Sequence, residues 1–218
     1  RDRLSPINDL NGIIPSLHTP FKNNKSIDYK SLEKLVLHTI DKNCAGMLLS
    51  AVAGETQNLT FNEKAEMMEF VSDISKNIIP IIFGCSSQKI EEIYSLVDLA
   101  RQKKIKWVLI QAPLNLDEGD LIAFYKKINE IGPSHLMIQD LSWDGYGLSD
   151  KTIQNLINEV SKFKSLKVEV VNSGKKYSNI INLTKNKLHL TGGWAATFYR
   201  GNEKRCSWLY TVNYGNNL

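Results

Sequence analysis

The chain has 218 residues, 42% hydrophobic and 23% charged, enough to bury a substantial core in one large or two small domains. A formal net charge of +4 comes from 27 Lys and Arg scattered through amphipathic stretches, usually beside Glu or Asp, which leaves no basic stripe for nucleic acid. Nothing approaches the ~18 consecutive apolar residues of a membrane span.

The opening RDRLSPINDLNG has neither an initiator Met nor an apolar leader, the pattern expected of a fragment or a processed product, and residues 1–11 read as an N-terminal extension. Short apolar runs then recur about every thirty residues. In chain order they are GIIPSLH from Gly12, AGMLLSA from Ala45, IIPIIFG from Ile78, WVLIQAP from Trp107, HLMIQDL from His135, LKVEVV from Leu166 and LHLTGG from Leu188. Each is short, bounded and rich in β-formers, as strands are.

Helical patterns fill the intervals. Leu32, Leu35, Val36, Thr39 and Ile40 share one face at a 3.6-residue period. Thr60-Phe61-Asn62-Glu63 is a capping box at the head of the second helix. Further helices are expected over 90–101, 121–131 and 150–163, with a weaker one after Tyr177. Seven strands alternating with helices imply parallel pairing through right-handed crossovers. Either an open doubly wound sheet or a closed (β/α)8 barrel satisfies this. The first strand is not followed by a G-x-G-x-x-G turn, which counts against a dinucleotide site.

The sixth run poses the functional question. Alternation puts Leu166, Val168 and Val170 on one face, and Lys167, Glu169 and Val171 on the other. On a half-exposed strand the two charges simply face water. In a barrel the apolar set packs on helices and the charges point inward. An ammonium held there is partly desolvated, its neutral amine becomes more available, and it can attack a ketone to form a Schiff base.

The other chemistry-bearing residues are sparse. Cys44, Cys85 and Cys206 form no C-x-x-C pair, which points to a reducing, cytoplasmic setting. His18, His38, His135 and His189 show no metal-ligand spacing, so no metal is expected.

Several of these segments are similar to one family in order and spacing. GIIPSLHTPF (12–21), SIDYKSLEKLVLHTI (26–40), GETQNLTFNEK (54–64), the stretch IIPIIFGCSSQKIEEIYSLVDLARQ, WVLIQAP and LKVEVVNSGKK together resemble the family of dihydrodipicolinate synthase and N-acetylneuraminate lyase. The resemblance covers about Gly12 to Gly193. It implies a (β/α)8 barrel of the class I aldolase type acting on pyruvate or another 2-oxo acid without a cofactor. Lys167 would be the Schiff-base nucleophile, and self-association is implied as well.

Three departures from the family are visible. Its two carboxylate-binding threonines are replaced by Val52 and Ala53 ahead of Gly54, so backbone N–H groups would have to hold the substrate carboxylate. Each charge-assisted bond lost costs roughly 1.5–3 kcal/mol. Gln139 stands where the family relays protons with a tyrosine, and it does not titrate at neutral pH. Glu169, on Lys167's face about 7 Å along the strand, is a candidate replacement relay or a salt-bridge partner to an interior cation. Asp140 falls on the opposite face, and Tyr146 reads as a polar rim residue. Leu114 and Leu116 replace aromatic residues after the fourth strand. Beyond LHLTGGWAA the chain loses family character, so the barrel domain is read as 12–196, incomplete after the seventh strand, with 197–218 an atypical tail. The alternating WLYTVNY is a candidate improvised last strand.

Three readings follow: a Schiff-base lyase, a catalytically degenerate barrel that binds a metabolite, and a phosphate binder using TGGWA (191–195), where Gly192 would line the anion or only form a tight turn.

Overall fold

The computed structural model describes residue 10, residues 12–76, 78–113, 115–185 and 187–193, and the backbone of residues 207–211. Eight parallel strands follow one another in sequence order and close into a barrel. They are β1 (Ile13–Ser16), β2 (Met47–Leu49), β3 (Ile81–Gly84), β4 (Trp107–Gln111), β5 (His135–Ser142), β6 (Phe163–Val170), β7 (His189–Gly192) and β8 (Ser207–Thr211). Helices α1 (Tyr29–Asp41), α2 (Phe61–Ser75), α3 (Ile90–Gln102), α4 (Glu118–Ile131), α5 (Asp150–Glu159) and α6 (Ser173–Thr184) follow β1 to β6 in turn. The molecule is a (β/α)8 barrel.

Two boundaries of the sequence reading change. The barrel does not stop at its seventh strand: Ser207–Thr211, assigned above to a tail, pairs with β1 from Ile13↔Trp208 to Ser16↔Thr211 and with β7 at Thr191↔Ser207. The reason is physical: β1 and β7 otherwise present unpaired edges, and this segment is built of β-formers. Leu10, assigned to the extension, is fully buried inside the barrel against Ile14, Leu48 and Trp107.

Local signals explain the helices. Thr60 and Glu63 make the capping box: Thr60 Oγ1 accepts from Glu63 N at 3.2 Å and Glu63 accepts from Thr60 N at 2.8 Å. Asp28, Asp117 and Ser149 cap α1, α4 and α5 in the same way. Helix α5 ends earlier than its periodicity suggested, because Phe163 is drawn into β6 and buried. Helix α6 starts earlier, after a left-handed turn at Asn172 (φ 57°).

Packing falls into two layers. Val36, Met68, Phe83, Val97, Ile110, Tyr125, Leu156, Val168 and Tyr177 belong to the layer between strands and helices. Ile14, Leu48, Ile82, Trp107, Leu109 and Met137 fill the barrel interior, with Trp107 stacked on His135 at 4.6 Å between ring centroids. This inner set is apolar on β1 to β4. On β5 to β7 the inward positions turn polar, and that asymmetry locates the site.

Candidate active site

Strand alternation settles the orientation of β6. Leu166, Val168 and Val170 are buried in the outer layer, as the barrel reading expects, and Lys167 and Glu169 occupy the opposite face. Lys167 is 5% exposed and Glu169 7%, so neither is a solvated surface charge. They are ion-paired, Lys167 Nζ lying 3.2 Å from Glu169 Oε2. Gln139, paired in register with Lys167 across β5 and β6, donates from Nε2 to the same oxygen at 2.6 Å. Three of the expected catalytic residues therefore meet at one point: a buried amine, a carboxylate within reach of its proton, and an amide that fixes the carboxylate.

Gly193 completes this arrangement. A Cβ built there would collide with Glu169 Oε1 and lie 3.1 Å from Lys167 Cε, so only glycine leaves Glu169 room to bend over the lysine. Alternation in HLTGG puts His189, Thr191 and Gly193 on one face, and that signal was available in the sequence. The expected ligand Gly192 falls on the other face, in register with Val168, while Thr191 is Lys167's neighbour. Trp194 and Ala195 of the suggested phosphate loop lie outside the described residues. Beneath Lys167, Ser165 Oγ and His189 Nδ1 are 2.9 Å apart, and burial pushes the His189 imidazole down to about 4.

Val52, Ala53 and Gly54 form a 3-10 turn after β2. Thr19 donates to Gly54 O at 2.6 Å, and His18 Nδ1 is 3.1 Å from Ala53 O. Gly54 N already donates to Ala51 O at 3.0 Å, so its N–H is not spare for an anion. The Val52 and Ala53 N–H groups head the turn and have no acceptor within it. Among the described residues no hydrogen bond or ion pair joins this turn to Lys167, Glu169 or Gln139.

On the far face of β5, Asp140 pairs with Lys176 of α6, both side chains fully buried. Lys176 Nζ also donates to Tyr146 O and Leu148 O, each at 2.6 Å, and Asp140 Oδ1 accepts from Leu148 N at 3.0 Å. Gly147 (φ +72°) lets the loop turn over Asp140, where a Cβ would collide with the carboxylate. Tyr146 is tied to the rim through Asp150 at 2.6 Å. This cluster braces the loop after β5 and takes no part in the interior.

Outside the interior, a cavity of about 710 Å³ opens over the ends of β2 to β4, lined by Thr56, Lys64, Ser86, Glu92 and Gln111 among others. Lys64 is 4% exposed and donates to Ser86 O at 3.0 Å; burial lowers its ammonium below the usual range. Among the described residues no cluster of three His, Cys, Asp or Glu is arranged to hold a metal, and no helix is long and apolar enough to cross a membrane.

The barrel topology with a buried lysine on β6 agrees with comparisons to known proteins. The family model described as the Dihydrodipicolinate synthetase family matches residues 9–201. The chain belongs to that family. It is 28% identical over 183 residues to the 4-hydroxy-tetrahydrodipicolinate synthase of Karelsulcia muelleri, covering 83% of this chain and 60% of the relative. Among solved structures, the dihydrodipicolinate synthase of Aquifex aeolicus superposes with a TM-score of 0.85 at 20% identity, over 93% of this chain and 69% of that one. The Proteus mirabilis N-acetylneuraminate lyase gives 0.85 at 17%, over 93% and 70%. The chain thus spans about 60% of the length of that first relative.

Proposed function

We propose that this barrel is a Schiff-base lyase or aldolase for pyruvate or another 2-oxo acid, with Lys167 as nucleophile. The observation that carries the reading is the buried Lys167–Glu169–Gln139 cluster on the inward faces of β5 and β6. Active sites of such barrels lie at the C-terminal ends of the strands, and family membership favours the same chemistry.

The proton inventory closes within the cluster. Glu169 accepts a proton from the Lys167 ammonium, and the freed amine adds to the substrate carbonyl carbon. The protonated Glu169 then delivers that proton to the carbinolamine hydroxyl, which leaves as water and gives the iminium. The iminium draws electrons from the adjacent carbon and stabilises the enamine formed when a C–C bond breaks or forms. Gln139 does not titrate; its hydrogen bond holds Oε2 where both transfers need it. Val52 and Ala53 supply backbone N–H groups in place of hydroxyl donors at the mouth.

Borohydride reduction with pyruvate and a small panel of 2-oxo acids, followed by peptide mass spectrometry, tests this. An adduct on Lys167 that is absent in Lys167→Ala supports the reading, and no adduct on folded protein rejects it for those compounds. A second reading, a barrel that binds a metabolite without turning it over, is favoured by the cavity over β2 to β4 with its buried Lys64. It predicts ligand protection against unfolding that survives Lys167→Ala.

A further inference from the structure

We infer that the hydroxyl of Thr191, with Ser16 as a second donor, holds the carboxylate of the 2-oxo acid bound at Lys167; the inference rests on the proposed Schiff-base chemistry. Thr191 is fully buried and Ser16 is 4% exposed, and neither hydroxyl has a hydrogen-bond partner among the described residues. A buried hydroxyl without a partner is costly, so a native barrel that keeps two inside has a ligand group or water to satisfy them. Both point inward: Thr191 shares the face of His189, which meets Ser165 in the interior, and Ser16 shares the face of Ile14.

Position and charge then choose the occupant. The carboxylate of a 2-oxo acid sits on the carbon that bonds to Nζ, so it must lie beside Lys167. Glu169 occupies the space above the lysine and repels a second carboxylate. On β5, Gln139 is committed to Glu169. On β7, Thr191 lies in register with Lys167 and carries an uncommitted donor. Strands β1 and β7 both pair with β8, and an eight-stranded barrel is narrow enough for side chains two strands apart to converge. Thr191 and Ser16 thereby supply, from inside the barrel, the hydroxyls that Val52 and Ala53 lack at its mouth.

The experiment compares wild type, Thr191→Val, Thr191→Ser and Ser16→Ala in two assays. One is borohydride trapping with pyruvate and with acetone, a ketone without the carboxylate. The other is non-covalent pyruvate binding by saturation-transfer NMR in the Lys167→Ala background. Thr191→Val is expected to weaken pyruvate binding and trapping by about 10- to 100-fold, the loss of one charge-assisted bond, with acetone trapping unchanged. Ser16→Ala is expected to weaken pyruvate by less, and Thr191→Ser to restore it. Unchanged pyruvate binding in Thr191→Val, or an equal fall for pyruvate and acetone, overturns the inference. If wild type traps neither ketone, the Schiff-base reading fails, and the NMR assay still decides this one. Pyruvate binding that Thr191→Val abolishes upholds the carboxylate site; no binding in the Lys167→Ala background overturns it.

Discussion

The Asp140–Lys176 pair gives the sharpest energetic prediction. Lys176→Met removes the ammonium from a fully buried carboxylate and strips the donor from the Tyr146 and Leu148 carbonyls. Breaking a buried pair from one side costs about 3–5 kcal/mol, against a typical total stability of about 5–15 kcal/mol. Asp140→Asn, which keeps an acceptor for Leu148 N, leaves the ammonium unpaired and costs about 3 kcal/mol by the same argument. Burial raises the Asp140 carboxyl and lowers the Lys176 ammonium even with the partner present, so desolvation outweighs attraction on both sides. Removing both charges therefore removes both desolvation costs. The double variant is expected to be more stable than Lys176→Met alone, with a coupling of about 3 kcal/mol in the cycle. Urea unfolding followed by far-UV circular dichroism measures all four proteins. Additive losses would show that the two charges do not depend on each other, and the reasoning would fail.

Other expectations follow from single features. His189 is held neutral near 4, against an ordinary 6.5, so the unfolded chain binds its proton first as pH falls. Stability is lost from about pH 6.5 down to about 4, roughly 2.5 kcal/mol between pH 7.5 and 4.5, and His189→Gln should remove that part of the urea-unfolding pH profile. Gly193→Ala places a methyl against Glu169 Oε1; pyruvate trapping should fall about tenfold, as in Glu169→Gln, with the circular dichroism spectrum unchanged. Equal trapping in Gly193→Ala and wild type would show that Glu169 does not need this position. Thr60→Ala removes the cap of α2 and should cost about 1 kcal/mol in urea unfolding, with no effect on trapping.

Much of the barrel was legible because its signals are local. The alternation at Leu166 to Glu169 and the capping box at Thr60 each depend on a few neighbouring residues, and both stand in the structure. The inward turn of Lys167 needed one global inference, that the strands close into a barrel. The eighth strand was harder, because Ser207–Thr211 is separated from β1 by nearly the whole chain and its pairing is decided by the edges it meets. Within the site, Glu169 and Gln139 could be placed by face, but their sharing of one oxygen is a tertiary fact. Gly193 carries no side chain to announce a role. Thr191 was passed over because attention fell on the glycines beside it. Gly54, singled out for its place before the Glu, spends its N–H on Ala51.

The most direct test of the central claim is borohydride trapping of wild type and Lys167→Ala with pyruvate, read by peptide mass spectrometry. The account predicts a reduced adduct on the Lys167 peptide of wild type and none in the variant. An adduct on another lysine, or none on folded wild-type protein across the 2-oxo acid panel, would contradict it.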